Sequence, residues 1–287
     1  MHEFLLRISL EMKNSESFNG NSISFYRKVC SKKQDPGLVN RLNDLDIDIN
    51  ELYSVYDNGF NDNNLEEILA KGYDGQAKTD LTCLYEYKSA TLQELKRVLT
   101  TTNSNRVVKC QNCTINDVNS FDHLLPVSEF AEFAVHPKNL ICSCTDCNGR
   151  KGAVWRNAGR RTSLNLYLDM LPEVQYLFVV ADVGYTSIET RFYLSNQNEI
   201  DPDIFSLITE HYRRLNLAER FSESADSVIT SLKSILEPLR DRLSLAESRE
   251  IILESVAKEK IAFGFNYWQA ILKQELVTND DFMIDFE

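Results

Sequence analysis

The chain has 287 residues, of which 43% are hydrophobic and 26% are charged, and its formal net charge is −12. This composition is typical of a folded protein and excludes an intrinsically disordered chain. There is no run of about eighteen apolar residues, so no membrane-spanning helix is expected. The acidic balance argues against a protein that binds nucleic acid over its whole surface, because phosphate contacts need basic side chains. The seven cysteines predict a reducing, cytoplasmic setting in which thiols bind metal.

The first part of the chain, residues 1–104, is predicted to be a mainly helical region. Apolar side chains recur there at helical spacing in several segments. The triplet Asp35, Pro36 and Gly37 predicts a turn before them, and Thr91 with Glu94 has the spacing of a capping box. The predicted helices span 38–56 (with a break near 46–48), 65–73, 79–88 and 92–99.

Two C-x-x-C pairs stand in the middle of the chain, in the region 105–165. The first pair, Cys110 and Cys113, follows a strand predicted over 106–109. Thirty residues separate it from the second pair, Cys144 and Cys147. Four thiolates in tetrahedral geometry form a closed zinc site, which stabilises a fold and leaves no coordination position for a substrate. The sequence therefore predicts a structural zinc. The other three cysteines are expected to be small buried side chains rather than ligands: Cys30, Cys83 and Cys142.

A helix predicted at the second cysteine pair presents four side chains on one face. They follow the spacing i, i+3, i+4 and i+7: Cys144, Cys147, Asn148 and Lys151. The amide oxygen of Asn148 and the carboxylate of Asp122 are ligands that Mg²⁺ accepts. Because side chains alternate along a strand, His123 faces away from Asp122 unless the strand bends or the site straddles it. A histidine beside such a metal can take a proton from water. The pattern therefore predicts a second metal, placed by the helix that the zinc holds.

A local basic tract follows the second cysteine pair. Residues 148–163 contain no acid, and they carry five positive charges while the remainder of the chain sums to −17. This position favours phosphate contacts over the alternative, a solvated helix face. The basic residues are Arg150, Lys151, Arg156, Arg160 and Arg161.

The last part of the chain, residues 166–287, predicts a β-hairpin followed by helices. Aromatic and β-branched residues at 176–181 and 189–194 indicate the hairpin. Helical spacing then runs to near the end of the chain, with Pro238 as an interruption. The predicted helices span 204–215, 217–236 and 245–276. An aromatic cluster is expected to be core: Phe263, Phe265, Tyr267 and Trp268.

Residues 106–160, roughly a fifth of the chain, resemble the HNH nuclease motif. The residues that carry the resemblance are the pair Asp122 and His123, then Asn139 followed by Leu140, and finally the ending C-x-x-C-N-x-x-K. The nine-residue step from Asn139 to Asn148 is similar to that of the zinc-stapled bacterial branch. The resemblance implies an α+β fold with a central ββα-metal core and a structural zinc, flanked by helical regions and one extra β-hairpin.

The resemblance also implies roles for individual residues. Asp122 and Asn148 would hold a catalytic Mg²⁺ or Mn²⁺, and His123 would be the general base that activates water. Asn139 would brace the loop between the strands and help to orient His123. Lys151 and the arginines after it would touch phosphate. The implied reaction is hydrolysis of a phosphodiester bond, by nicking or double-strand cutting of DNA, to leave 5′-phosphate and 3′-hydroxyl ends.

The substrate and partners stay open at this point. An acidic background of −17 disfavours tight unaided binding to DNA, so a protein partner is expected to deliver or license the enzyme. Bacterial HNH proteins of similar size resemble effectors of anti-phage defence systems, some of which pair with an ATPase. Two alternatives share the same residues. One is a zinc-stapled nucleic-acid-binding or structural module without nuclease activity, and the other is a ribonuclease or toxin using the same site.

Overall fold

The computed structural model describes residues 17–101 and 109–286. The chain divides into two compact units, Ser15–Asp169 and a second that, in its described part, begins at Met170. The formal charge is divided unequally, because residues 15–169 contain 18 Lys/Arg and 20 Asp/Glu whereas residues 170–287 contain 11 and 21. The second unit therefore carries −10 of the chain's total formal charge of −12. In the described part of the chain, no helix combines the length and apolar character needed to cross a bilayer.

Within residues 17–101 the structure shows five α-helices ahead of the first strand. The predicted break in the segment 38–56 is confirmed, since Leu45 separates the second and third helices. The predicted turn at Asp35 is wrong, because Asp35 caps a helix by accepting a 2.9 Å hydrogen bond from Gly37 N while Pro36 occupies the first helical position. The helices are α1 (Ser22–Cys30), α2 (Pro36–Asp44), α3 (Asp46–Asn61), α4 (Gly75–Thr82) and α5 (Ala90–Leu99).

Two further expectations for the N-terminal region are corrected. The segment predicted as a helix over 65–73 forms only a single 3₁₀ turn, Leu65–Glu67. Helix α5 is capped by Ser89, whose hydroxyl accepts from Leu92 N, so the predicted capping box at Thr91 is wrong. At α5 the free N–H of Leu92 is satisfied by Ser89, two positions before Thr91.

A strand–strand–helix unit follows. Strand β1 (Ser120–His123) pairs antiparallel with β2 (Leu140–Ser143), and the chain then enters helix α6 (Thr145–Lys151). Asp122 lies opposite Ile141, and His123 lies opposite Leu140. The strand predicted over 106–109 falls outside the described residues, apart from Lys109, which forms an isolated bridge with Asp117. The predicted mixture of α and β elements, with short antiparallel strands, is confirmed.

The N-terminal helices and the β1–β2 loop share one core. Tyr56 of α3 packs against Phe133 of the loop with ring centroids 4.8 Å apart, and Tyr53 packs against His136 at 4.3 Å. All four rings are buried. Residues on both sides of position 104 therefore belong to one compact unit, Ser15–Asp169.

After α6 the first unit ends in a small hairpin of β3 (Arg156–Asn157) and β4 (Arg160–Arg161). The second unit opens with the hairpin that the alternating pattern predicts, β5 (Leu177–Val183) paired antiparallel with β6 (Ile188–Leu194). Its helices are α7 (Pro202–Leu215), α8 (Leu217–Glu223), α9 (Ala225–Arg240), α10 (Leu245–Phe263), α11 (Trp268–Thr278) and α12 (Asp280–Met283).

Three details of the second unit differ from expectation. The segment predicted as one helix over 217–236 is divided at Ser224 into α8 and α9. Pro238 lies in the last turn of α9 and does not interrupt it, whereas Gly264 divides the segment 245–276 into two helices. The aromatic cluster is only partly core, since Trp268 is buried but Phe263 and Phe265 are exposed by 46% and 38%. Helical spacing alone does not show which turn of a helix faces solvent.

Candidate functional site

The four cysteines of the two C-x-x-C pairs meet in one buried cluster. Their Sγ atoms all lie within 4.8 Å of one another, and Cys113 Sγ is 3.9 Å from Cys144 Sγ. A tetrahedral zinc with bonds of about 2.3 Å needs sulfur atoms about 3.8 Å apart. The donor set therefore fits zinc in number, chemistry and spacing, and the predicted metal ligands Cys110, Cys113, Cys144 and Cys147 are brought together.

Short-range backbone geometry forms each half of the cluster. In the first pair, Thr114 N donates to the carbonyl of Cys110 at 2.7 Å, and Thr114 adopts a left-handed φ of 52° that closes the turn. In the second pair, Cys144 precedes the first turn of α6 and its Sγ accepts a 3.4 Å hydrogen bond from Cys147 N. Both pairs therefore present their sulfurs from tight turns.

Proton affinities show why the cluster suits a cation. A hydrogen bond from Cys110 lowers the pKa of Cys113 to about 6, and bonds from its neighbours also lower the pKa of Cys144. The same bonds raise the pKa of Cys110 and Cys147 above the usual value of a thiol. Four adjacent buried thiolates repel one another, so some sulfurs keep their protons unless a metal charge replaces them.

The remaining cysteines lie apart from this cluster. Cys142 is buried on β2 opposite Phe121, and burial raises its pKa to about 12, so it is an inert buried thiol. Cys30 is buried as expected. Cys83 is exposed at the end of α4, which corrects the expectation that it is buried.

Asp122 lies in the interior and is paired with Lys151. The Nζ atom of Lys151 is 2.9 Å from Asp122 Oδ1 and also donates to the carbonyl of His123. The side chains of Asp122 and Lys151 are only 8% and 5% exposed. The sequence predicts that Lys151 touches phosphate, but the structure places it in a buried ion pair that ties the end of α6 to β1.

Asn148 lies beside the same strand with a defined amide orientation. Its Nδ2 donates to Ser120 Oγ at 2.9 Å and to the carbonyl of Phe121 at 3.0 Å. A carbonyl oxygen can only accept, so the atom facing Phe121 must be the amide nitrogen. The amide oxygen Oδ1 is therefore the atom of this side chain that could ligate a metal. Ser120 and Asp122 are two residues apart on β1 and thus lie on the same face of the strand as Asn148.

His123 makes a different set of contacts. Its Nε2 is 2.9 Å from the carbonyl of Ala134, and its ring packs edge-on against Tyr85 with centroids 4.7 Å apart. The carbonyl can only accept, so Nε2 carries the proton and Nδ1 keeps its lone pair. Burial lowers the pKa of His123 to about 4. The imidazole is therefore neutral near pH 7 and presents one unprotonated nitrogen.

Asn139 is fully buried and holds the β1–β2 loop together. Its Oδ1 accepts from Leu125 N at 2.7 Å and from the hydroxyl of Tyr56 at 3.1 Å. Its Nδ2 donates to the carbonyls of Leu125 and Phe133, both at 3.0 Å. The backbone carbonyl of Asn139 also accepts from Leu124 N at 2.9 Å, directly after His123. The amide is therefore occupied by its own fold, and Asn139 acts by positioning the loop.

The basic tract is less available than the sequence suggests. Arg161 makes two 2.9 Å hydrogen bonds to Asp169, and Arg156 pairs with Glu129 at 2.7 Å. Arg150 and Arg160 are exposed. In the folded chain, acids that are distant in sequence, such as Glu129, lie beside the basic tract. The surface available for phosphate is thus narrower than a count of charges predicts.

Tyr85 and His136 were not assigned to the site from sequence. Tyr85 lies between α4 and α5, 38 positions before its contact His123, and no local motif marks it. His136 is fully buried among Tyr53, Tyr56 and Phe133. Burial lowers its pKa well below that of an exposed histidine, so it is a neutral core residue. Spacing places Tyr56 on the apolar face of a predicted helix, but it does not show which residues pack there.

The comparisons with known proteins find little. No family model matches the chain, and no solved structure matches it. The chain is 29% identical over 186 residues to Protein ea31 of Escherichia phage lambda, which covers 61% of this chain and 63% of that protein. The chain thus spans less than two thirds of the length of this curated relative. At this identity and coverage the relation is one of sequence similarity alone.

Proposed function

We propose that this protein is a metal-dependent HNH endonuclease that hydrolyses phosphodiester bonds of DNA. The observation that carries the proposal is the position of Asp122 and Asn148 on one side of β1, with a histidine of fixed tautomer directly after Asp122 in the chain. Helix α6 presents Asn148, and the cysteine cluster at its start sets the rotation of that helix. The β1–β2–α6 fold, the four-cysteine cluster and the pair of Asp122 and Asn148 thus form one connected unit.

Two metals have separate donor sets in this proposal. The four cysteines would hold a structural zinc, since all-sulfur sites are closed to substrate. The carboxylate of Asp122 and the amide oxygen of Asn148 suit Mg²⁺ or Mn²⁺, which bind hard oxygen ligands and keep several waters. When bound, such an ion would neutralise charge on the phosphate and on the leaving oxygen.

His123 would be the general base. The Ala134 carbonyl holds the proton on Nε2, which leaves Nδ1 able to take a proton from an attacking water. Burial lowers the pKa of His123 to about 4, so the base is in its active, neutral form over the whole physiological range. Asn139 would contribute indirectly, by fixing the loop that carries Ala134.

The division of charge supports nucleic acid as the substrate. Residues 15–169 have a formal charge of only −2, so the unit that holds the site does not carry the strongly acidic balance of the whole chain. Arg150 is exposed on the last turn of α6 and is suited to touch phosphate. The −10 of residues 170–287 disfavours DNA binding by that unit. This favours the further proposal of a partner protein, such as a defence-system ATPase, that brings the enzyme to double-stranded DNA.

The test is a cleavage assay on plasmid DNA and on RNA, with and without added Mg²⁺ or Mn²⁺. We expect His123→Ala to lower the rate by a factor of about 10² to 10⁴, the usual contribution of a general base. Asn148→Ala should weaken binding of the added ion, measured with Mn²⁺ by electron paramagnetic resonance. Zinc content and circular dichroism of each variant control for folding.

Two results would reject this assignment. Cleavage by His123→Ala at the full rate would show that His123 is not the general base. Cleavage independent of added Mg²⁺ or Mn²⁺ at constant zinc content would show that the reaction needs no second metal. Absence of cleavage with normal zinc content would favour a zinc-stapled structural or binding module. Cleavage of RNA but not DNA would change the substrate and keep the site.

A further inference from the structure

Tyr85 reaches the proposed active site from the N-terminal helices. It lies in the connection between α4 and α5, and its hydroxyl donates to the carbonyl of Phe121 on β1 at 3.3 Å. Its ring also packs edge-on against the imidazole of His123, at 4.7 Å between centroids and an interplanar angle of 68°. Tyr85 therefore contacts both Phe121, the residue before Asp122, and His123, the residue after it.

The Phe121 carbonyl joins Tyr85 to Asn148. This oxygen accepts from Tyr85 at 3.3 Å, from Asn148 Nδ2 at 3.0 Å and from Ser120 Oγ at 3.1 Å. The second bond sets which way the Asn148 amide faces, and thus where its metal-ligating oxygen points. A carbonyl held by donors from two directions cannot tilt without losing one of them. The orientation of Asn148 therefore depends on a strand that Tyr85 helps to hold.

The contact with His123 acts on the same site from the other direction. The Ala134 carbonyl fixes one nitrogen of the imidazole but still allows the ring to rock about that hydrogen bond. Edge-to-face packing against Tyr85 restricts that motion, because aromatic rings prefer a defined mutual angle. Together the two contacts fix both the tautomer and the plane of the ring.

We propose that Tyr85 is a positioning residue of this site, one that orients His123 by ring packing and Asn148 through the Phe121 carbonyl. The inference rests on the proposed nuclease function and deepens it. The N-terminal helices then complete the catalytic geometry instead of serving as a separate docking region, and residues 105–165 do not form the whole active site.

The neighbouring Tyr87 provides a matched control. It lies two residues further along the same connection, and its ring packs against the side chain of Phe121 at 5.8 Å. Its buried hydroxyl has no hydrogen-bond partner among the described residues. Replacing Tyr87 by phenylalanine thus removes a hydroxyl from the same segment without removing a contact to the proposed site.

The experiment compares Tyr85→Phe, Tyr85→Leu and Tyr87→Phe in steady-state cleavage of a DNA duplex with Mg²⁺. We expect Tyr85→Phe to lower kcat about fivefold, the effect of one hydrogen bond. Tyr85→Leu should lower kcat about a hundredfold, as expected when catalytic groups are misplaced. KM, zinc content and the midpoint of thermal unfolding should stay within error for Tyr85→Phe, and Tyr87→Phe should match the wild type throughout.

A second measurement does not depend on activity. The ring of Tyr85 should shift the imidazole proton resonances of His123, assigned by comparison with His123→Ala. Those resonances should move in Tyr85→Leu but stay in Tyr85→Phe and Tyr87→Phe. Three results would overturn the role of Tyr85 while leaving the nuclease proposal intact. They are a wild-type kcat in Tyr85→Leu, a loss of kcat in Tyr87→Phe equal to that in Tyr85→Phe, and unmoved His123 resonances in Tyr85→Leu. A wild-type protein that cuts no nucleic acid would overturn the nuclease proposal itself.

Discussion

The β1–β2–α6 unit is held on two sides by different kinds of interaction. Toward α6 the contacts are ionic and polar, with a cluster of four sulfurs, the Asp122–Lys151 ion pair and the amide of Asn148. Toward the N-terminal helices the contacts are aromatic, and both His123 and His136 are packed against tyrosine rings. On the side of α6 the buried charges are paired, and on the side of the N-terminal helices two imidazoles stay neutral.

The difference shows that one small unit keeps two buried environments apart. On the side of α6 the buried carboxylate of Asp122 has a partner in the ammonium of Lys151, because an unpaired buried charge is costly. A neutral imidazole needs no counter-charge, and aromatic surroundings keep it unprotonated by excluding water. Mixing the two environments would raise the pKa of the imidazoles or leave Asp122 without Lys151. The following predictions test this contrast, from the largest expected effect to the smallest.

Loss of one zinc ligand should have the largest effect. Cys147→Ala removes a donor from the closed cluster, and structural zinc contributes on the order of 10 kcal/mol to folding, comparable with the whole stability of a domain. We expect residues 109–169 to lose their cooperative unfolding transition. Zinc content by mass spectrometry and melting by circular dichroism measure this. Cys142→Ala is the control and should keep its zinc, and a stable zinc-free Cys147→Ala would contradict the structural role.

Breaking the buried ion pair should come next. Lys151→Met removes the buried cationic partner of Asp122, which should lower the free energy of unfolding by about 3–5 kcal/mol in urea titrations. The double variant Asp122→Asn with Lys151→Met should recover most of that loss, because the stranded charge is gone. The exposed pair of Arg27 with Asp46 is the comparison, and Arg27→Met should cost less than about 1 kcal/mol. Equal losses of unfolding free energy in Lys151→Met and Arg27→Met would show that burial does not strengthen the Asp122–Lys151 pair.

Acid should destabilise the aromatic side through His136. Burial lowers the pKa of His136 below the value of about 6.5 in the unfolded chain. As pH falls below about 6.5 the unfolded state therefore binds more protons, and stability falls. The groups facing His136 are Asp57 at 3.7 Å, Lys138, and the rings of Tyr53 and Tyr56.

His136→Phe should remove this acid sensitivity while keeping the aromatic packing. Neither ring nitrogen of His136 has a hydrogen-bond partner among the described residues, so little is lost on substitution. Between pH 7 and pH 5 the variant should lose about 2 kcal/mol less stability than the wild type. Urea unfolding at the two pH values measures the difference, and identical losses in both proteins would mean that His136 does not couple to folding.

The smallest effect concerns phosphate contact. Arg150 is exposed, whereas Arg161 is 15% exposed and bonded to Asp169. We expect Arg150→Ala to weaken DNA binding modestly and to reduce the salt slope of binding by about 1. Arg161→Ala should leave the slope unchanged and lower stability instead. Fluorescence anisotropy over a salt series measures both, and a larger change of slope for Arg161→Ala would reverse the assignment.

Predictions from sequence succeeded where the signal is local. The C-x-x-C pairs, the break between α2 and α3, and the hairpin of β5 and β6 all follow from spacings within a few residues. They failed where a choice between nearby residues depends on packing. Ser89 caps α5 instead of Thr91, and Phe263 faces solvent, because propensity does not show which side of a turn the rest of the chain covers.

The candidate site shows the same division. The stripe of Cys144, Cys147, Asn148 and Lys151 is a consequence of helical geometry, so the sequence by itself determined that these residues share a face. Only the tertiary structure decided that Lys151 pairs with Asp122, that Tyr85 packs on His123, and that acids neutralise part of the basic tract. Those contacts join residues 27 to 38 positions apart, and they form only when separate elements bury their surfaces together. Local spacing can name the chemical groups of the site, but burial determines which of them meet.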